Sequence, residues 1–181
     1  FTVLIAACAG AARAPVQYEP TPVDVVHAML KLAEVRADDL VADLGCGDGR
    51  IVITAAKRYG AIPVAFVGED TLLVAMSDPA NVYALTEARR NAAEAGVAER
   101  ITFLQQDLFA TDLRGVTVVM LFLSPRFNLE LRPKLARELG AGARVVSHWH
   151  DMGDWKPART VRIRSDGRER PVYLWVIDAS R

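Results

Sequence analysis

Apolar positions follow two different periods along this 181-residue chain. Val25, Val26, Met29, Leu30 and Leu32 recur at helical spacing, with Thr21 placed to N-cap that helix and Pro22 suited to its first position. "DDLVADLG" is instead a short unbroken apolar run, the pattern of a buried strand, and it ends on glycines. "RIVITAAKRYG" returns to the helical period and stops at Gly60. "IPVAFVGED" and "TLLVAMSD" both read as strands. "SDPANVYALTEARRNAAEAG" predicts a helix with Asp78 as N-cap, Pro79 at its first position and Gly96 at its end. "ITFLQQ" and "VTVVMLFL" predict strands, and the second is followed by Ser124-Pro125. "NLELRPKLARELGAG" predicts a helix with Pro133 near its start, "ARVVSHW" another strand, and the last apolar runs a hairpin turning at Asp166-Gly167.

Strands that alternate with helices imply a parallel sheet, and the terminal hairpin adds antiparallel pairing at one edge. The expected fold is α/β, a Rossmann-like doubly wound sheet. No linker, repeat or low-complexity tract interrupts residues 15–181, so they form one domain. In such a sheet ligands bind outside the carboxyl ends of the strands. That rule puts the glycine loop, Glu69, Asp78, Asp107, Phe122 and His148 on one rim.

Residues 1–14 stand apart. "FTVLIAACAGAARA" is apolar and small, like the tail of a secretory leader, and "LIAAC" resembles a lipoprotein box with Cys8 as the modified residue. This predicts a cell-envelope or periplasmic location; a cofactor supplied from the cytoplasm argues for the cytoplasmic alternative. Twenty-two basic residues balance twenty-two acidic ones, so no net field draws the chain to nucleic acid, and no nucleic-acid partner is expected. The two cysteines make no disulfide framework, and no cluster has zinc spacing, so no metal is expected.

The chemistry concentrates in "VADLGCGDGRIVITAA". Glycines between a strand and a helix let a ligand approach the backbone. The dinucleotide pattern G-x-G-x-x-G fails, because Arg50 occupies its last glycine position. Asp43 and Asp48 put two carboxylates where a pyrophosphate would sit, and Arg50 offsets only one of them. A ligand with a cationic end, a sulfonium with an α-ammonium, suits that charge.

"DLGCGDGR" resembles motif I of the class I S-adenosylmethionine (SAM)-dependent methyltransferases, and the likeness continues through "YEPTP", "EARRNAAEAGV", "ITFLQQDLF", "LRPKLARELGAGARVVSH", "DMGDW" and "VYLWV". Together these blocks resemble a bacterial branch with export-signal-like starts, and are similar to small protein-lysine methyltransferases with a "Y-x-P-T-P" opening. The resemblance implies the seven-stranded methyltransferase fold with SAM as cofactor. It implies that Asp43, Gly45, Gly47 and Gly49 line the methionine end, that Asp107 accepts from the adenine amino group with the Leu108 backbone beside the ring, and that Tyr18 and Thr21 close over the cofactor; Asp48 joins the cofactor-binding candidates through the charge it adds to the loop.

The chain departs from the family pattern at the ribose. The usual acid at the end of the second strand reads Met76, which leaves Glu69, at the expected spacing of about 20 residues, or Asp78 to take its place. On the acceptor side "LFLSP" lacks the N-P-P-Y pattern of DNA amino-methylating enzymes, and Phe122 and His148 are the candidate catalytic residues. An amine nitrogen, a protein lysine or a small molecule, is the expected acceptor. A cofactor-degenerate binding protein and a nucleotide-dependent oxidoreductase remain as alternatives. Oligomeric state leaves no mark in the sequence.

Overall fold

The computed structural model describes residues 19–67 and 84–178. The leader of residues 1–14, Tyr18, both ribose-acid candidates Glu69 and Asp78, and the run "TLLVAMSD" lie outside the described residues.

Seven strands form one sheet: β1 (Leu40–Leu44), β2 (Ile62–Val67), β3 (Thr102–Gln105), β4 (Val118–Leu121), β5 (Arg144–His148), β6 (Arg159–Ser165) and β7 (Arg168–Val176), in the order β3-β2-β1-β4-β5-β7-β6. The first five run parallel, and β7 is antiparallel to both β5 and β6. Strand order reverses between β1 and β4, the crevice where open α/β sheets bind ligands. The expected α/β architecture and its terminal hairpin are both present.

Among the described residues the helices are α1 (Val23–Leu32), α2 (Arg50–Thr54), α3 (Ala84–Glu94) and α4 (Pro125–Glu138). α2 runs on into one wide turn of π-helix, Ala55–Tyr59, before Gly60 ends it in a left-handed conformation. The strands alternate their side chains between two faces. Val41, Val118, Met120 and Val146 pack under α1 against Val25, Val26, Met29 and Leu30. Ala42, Leu44, Val119, Leu121 and Val145 face Leu131 and Leu135 of α4 with Trp155 and Trp175. Burying an aliphatic side chain of this size stabilises a fold by about 1.5–3 kcal/mol, so these two layers hold the sheet ends in fixed register.

Two helix starts differ from expectation. Thr21 does not cap α1; Pro22 occupies the cap position, and no side chain caps the helix. α4 begins at Pro125, three residues earlier than its apolar period suggests. Ser124 is its N-cap and accepts a hydrogen bond from the Phe127 N–H at 3.4 Å. Pro133 therefore lies inside the helix and not near its start.

Candidate active site

Asp43 lies in β1 at the register of Met120, and Leu44, Leu121 and Ser147 align across β1, β4 and β5. The next residues, Gly45, Phe122 and His148, therefore stand at one level at the carboxyl ends of the strands. By strand alternation Asp43, Phe122 and His148 all lie toward the α1 face.

The loop after β1 is closed by its own backbone. The Gly45 and Cys46 N–H groups both donate to the Phe66 carbonyl, at 2.9 and 3.1 Å, and Gly49 N–H donates to the Cys46 carbonyl at 2.9 Å. Gly45 and Gly49 have φ of 95° and 81°, where an L side chain is strained. Space is short as well. A Cβ on Gly45 would stand 2.9 Å from Leu123 Cδ2, and one on Gly49 would stand 3.1 Å from Ala88 Cβ. These two glycines thus serve loop geometry and the approach of α3 to α2. Gly47 is also left-handed, at 53°.

The two loop carboxylates are not equivalent. Asp48 holds the Arg50 guanidinium through both oxygens, with contacts of 2.5 to 3.0 Å. Asp43 is buried, and its Oδ2 has no hydrogen-bond partner among the described residues. Burial, reinforced by Asp48, pushes the Asp43 carboxyl up to about 7. An unpartnered carboxylate oxygen at this depth fits a ligand with a cationic end, which would restore the charge that burial suppresses. Burial also pushes the Cys46 thiol well up, so this cysteine is a small packing residue and not a nucleophile.

Arg50 links the loop to the strap that leads into α1. Its Nη1 donates to the Thr21 carbonyl at 2.8 Å. The same strap is held on its other side, where Arg170 reaches Glu19 at 3.3 Å. Thr21 is buried, and its hydroxyl lies 3.3 Å from His148 Nδ1. Its carbonyl faces the loop while its side chain faces the far half of the rim.

His148 ends β5 and is fully buried. Its ring centroid lies 4.1 Å from that of Phe122, and its Nε2 has no hydrogen-bond partner among the described residues. Burial, with Arg170 and His150 nearby, holds His148 down at about 4, so the imidazole is neutral at physiological pH. Trp149 follows with φ of 70°, uncommon for an aromatic residue, and its N–H donates to the Pro171 carbonyl at 2.8 Å. Strand alternation therefore stops at His148, and His150 does not share its place. Trp149 is 37% exposed, with the buried Arg170 guanidinium 5.5 Å from its ring centre.

Asn128, a residue sequence reasoning missed, holds this turn. From α4 its Nδ2 lies 3.0 Å from Ser147 Oγ, 3.0 Å from the His150 carbonyl and 3.3 Å from that of Asp151. Ser147 Oγ donates to the His150 carbonyl at 2.6 Å. The only signal in the sequence is a polar residue at a helix position that should be apolar. Asp151 accepts from the Gly153 N–H, and Asp154 pairs with Arg132, so both shape the following turn.

Asp107 follows β3 on the same rim. Its Oδ1 accepts from the Phe109 N–H at 2.8 Å, and its carbonyl accepts from Ala110, Thr111 and the Thr111 hydroxyl. Asp107 thus shapes a turn. The Leu108 side chain enters the core on the α4 face. The described rim brings together the glycine loop, Asp107, Thr21, Phe122 and His148. Among the described residues no group of three or more His, Cys, Asp or Glu side chains is arranged to hold a metal ion.

The family profile of the ANTKMT methyltransferase domain matches residues 43–159, from the buried aspartate to the start of β6. A protein-lysine N-methyltransferase of Saccharolobus islandicus is 39% identical over 162 residues, 90% of this chain and 94% of its own length. The mouse adenine nucleotide translocase lysine N-methyltransferase is 33% identical over 166 residues, 92% of this chain but 64% of its own. Among solved structures, an RNA methyltransferase of Salinibacter ruber in complex with S-adenosyl-L-homocysteine superposes with a TM-score of 0.78. It is 44% identical, and the match covers 90% of this chain and 96% of that one.

Proposed function

The chain belongs to the ANTKMT methyltransferase domain family and is a class I SAM-dependent methyltransferase, and from that premise we propose that it methylates an amine nitrogen, a lysine side chain of a protein. When bound, SAM supplies a methyl carbon on a sulfonium: the amine lone pair forms the new N–C bond, the C–S bond breaks and its electron pair stays on sulfur. The buried Asp43, with Gly45, Gly47, Asp48 and Gly49, would hold the cationic end. Asp107 would meet the adenine, and Glu69 or Asp78 the ribose.

One observation carries the acceptor class. Beyond β4 the described rim brings Phe122, a buried neutral His148 and Trp149 side by side, with the Arg170 guanidinium behind the Trp149 ring. A lysine side chain entering it would meet apolar walls along its methylene stem, and its amine would be favoured in the neutral, nucleophilic form. The lysine methyltransferases among the relatives support the same reading.

An RNA acceptor is the second reading, favoured by the Salinibacter relative. The charge balance counts against it, because neutralising a phosphate backbone takes many Lys and Arg contacts. Incubation with methyl-labelled SAM and separated protein, RNA and metabolite fractions tests both. Label on protein lysine is expected. Label confined to RNA would reverse the order of the readings, and no SAM binding by calorimetry would favour a cofactor-degenerate protein.

A further inference from the structure

Resting on that reading, we propose that His148 is the residue that orients the acceptor amine: its Nε2 lone pair accepts a hydrogen from the acceptor nitrogen, and Thr21 fixes the ring for this. The geometry points to a contact that no group of the described residues supplies. His148 is fully buried, yet Nε2 has no hydrogen-bond partner among the described residues. A buried polar atom without a partner destabilises the fold, so a hydrogen bond to Nε2 would remove that cost.

Every neighbour of the ring acts on its direction or charge. Phe122 packs on one side at 4.1 Å. Trp149 meets it edge-on at 6.1 Å. Thr21 Oγ1 lies 3.3 Å from Nδ1. When Nδ1–H donates to that hydroxyl, the neutral ring carries its lone pair on Nε2. The charged and titratable groups described around this corner include Arg170 on β7, with Glu19 of the strap and Asp166 of the hairpin turn as its partners, and His150 and Asp151 on the loop after β5. Arg170 is the buried one, and it disfavours a second positive charge beside it.

The histidine is therefore a hydrogen-bond acceptor and not a proton acceptor. The lysine ammonium loses its proton to solvent before it enters. The neutral amine gives one N–H to His148 Nε2, which turns the nitrogen lone pair away from the ring. Attack converts the amine to a methylammonium, so charge and protons balance without protonating the imidazole. Thr21 acts through His148 and is a positioning residue. Because Arg50 holds the Thr21 carbonyl from the glycine loop, the two halves of the rim share one strap.

The test compares His148→Gln, which keeps an acceptor atom near Nε2, with His148→Phe, which does not, and adds Thr21→Val. With a lysine-bearing protein acceptor, His148→Phe should lose about a hundredfold in kcat/KM, as expected for a misplaced nucleophile. S-adenosylhomocysteine affinity by calorimetry should stay unchanged, which also certifies the fold. His148→Gln should recover much of the loss. Nitrogen-15 NMR of the parent protein should show His148 Nε2 unprotonated, and Thr21→Val should mix the two tautomers. Full acceptor kcat/KM in His148→Phe, or a protonated Nε2 in the parent, would overturn the proposal. So would an acidic-limb inflection in the pH profile that vanishes in His148→Gln, which would make the residue a base. If the parent labels no lysine at all, the lysine reading fails, and the NMR measurement still decides the histidine.

Discussion

Asp43→Asn removes a carboxylate that the folded protein holds in a dry site, so stability and cofactor affinity should move in opposite directions. The carboxyl rises from 3.8 to about 7 on folding, first through burial and then through Asp48. Between those two pH values the unfolded chain has released the proton and the folded chain keeps it. The stability tied to this proton is whole below the lower value and is lost as pH rises through the upper one. At 1.36 kcal/mol per pH unit the loss comes to about 4 kcal/mol. Asparagine has nearly the shape of the protonated carboxyl and does not titrate. Variant and parent should therefore be close in stability at about pH 4, and the variant ahead by about 4 kcal/mol above pH 7. Urea unfolding across that range reads the difference as a shift in midpoint with unchanged slope. Calorimetry with SAM should show the opposite change, a loss of roughly 1.5–3 kcal/mol for one charge-assisted contact, about ten- to a hundredfold in Kd. Parallel stability curves for the two proteins would refute the buried-charge argument, whatever happened to binding.

His148 titrates with the opposite sign: its pKa falls from 6.5 to about 4 on folding, so the parent should lose about 3 kcal/mol as pH drops through that window. His148→Gln should flatten that limb in the same urea series. Gly49→Ala places a Cβ 3.1 Å from Ala88 at a φ of 81°, and should cost about 1–2 kcal/mol for the backbone and about 1–3 for the crowding. An added Ala88→Gly change should return only the crowding part, and a double-mutant cycle with no coupling would place the strain elsewhere. Asn128→Ala removes the donor to Ser147 Oγ and the Asp151 carbonyl, leaves the His150 carbonyl with Ser147 Oγ alone, and should destabilise by about 2–4 kcal/mol. Faster amide exchange at Trp149 and Gly153 should accompany that loss, since the loop they belong to is the one Asn128 holds.

The glycine loop was legible because its spacing is local: strand, glycines and helix follow one another within twenty residues. The terminal hairpin was legible for the same reason, since Asp166-Gly167 marks its turn. The start of α4 was missed because "LFLSP" continues a strand's apolar run, which masks the Ser-Pro cap signal. The wide turn at Ala55–Tyr59 carries no mark in composition. Thr21 was read as a cap because Thr-Pro before an apolar period is a cap pattern, but its hydroxyl is drawn to a histidine 127 positions away. Asn128 and the left-handed Trp149 belong to the same class, since a long-range contact decides each. At the aromatic corner the sequence supplied names, Phe122 and His148. The reason they matter, an imidazole nitrogen left without a partner, exists only once five parallel strands have set their register.

The position of β7 has a consequence for biosynthesis. β6 leaves the ribosome before β7, yet in the finished sheet β7 lies between it and β5. Until β7 has been made, the outer edge of β5 has no neighbour, and β6 has nothing to pair with. Arg170 and Pro171, which hold Glu19 and the Trp149 backbone, arrive on that same strand. A nascent chain halted after β6 would therefore have a formed glycine loop but an open corner at His148. A ribosome-stalled series with increasing length should gain resistance to protease at that corner in one step, as β7 emerges from the exit tunnel.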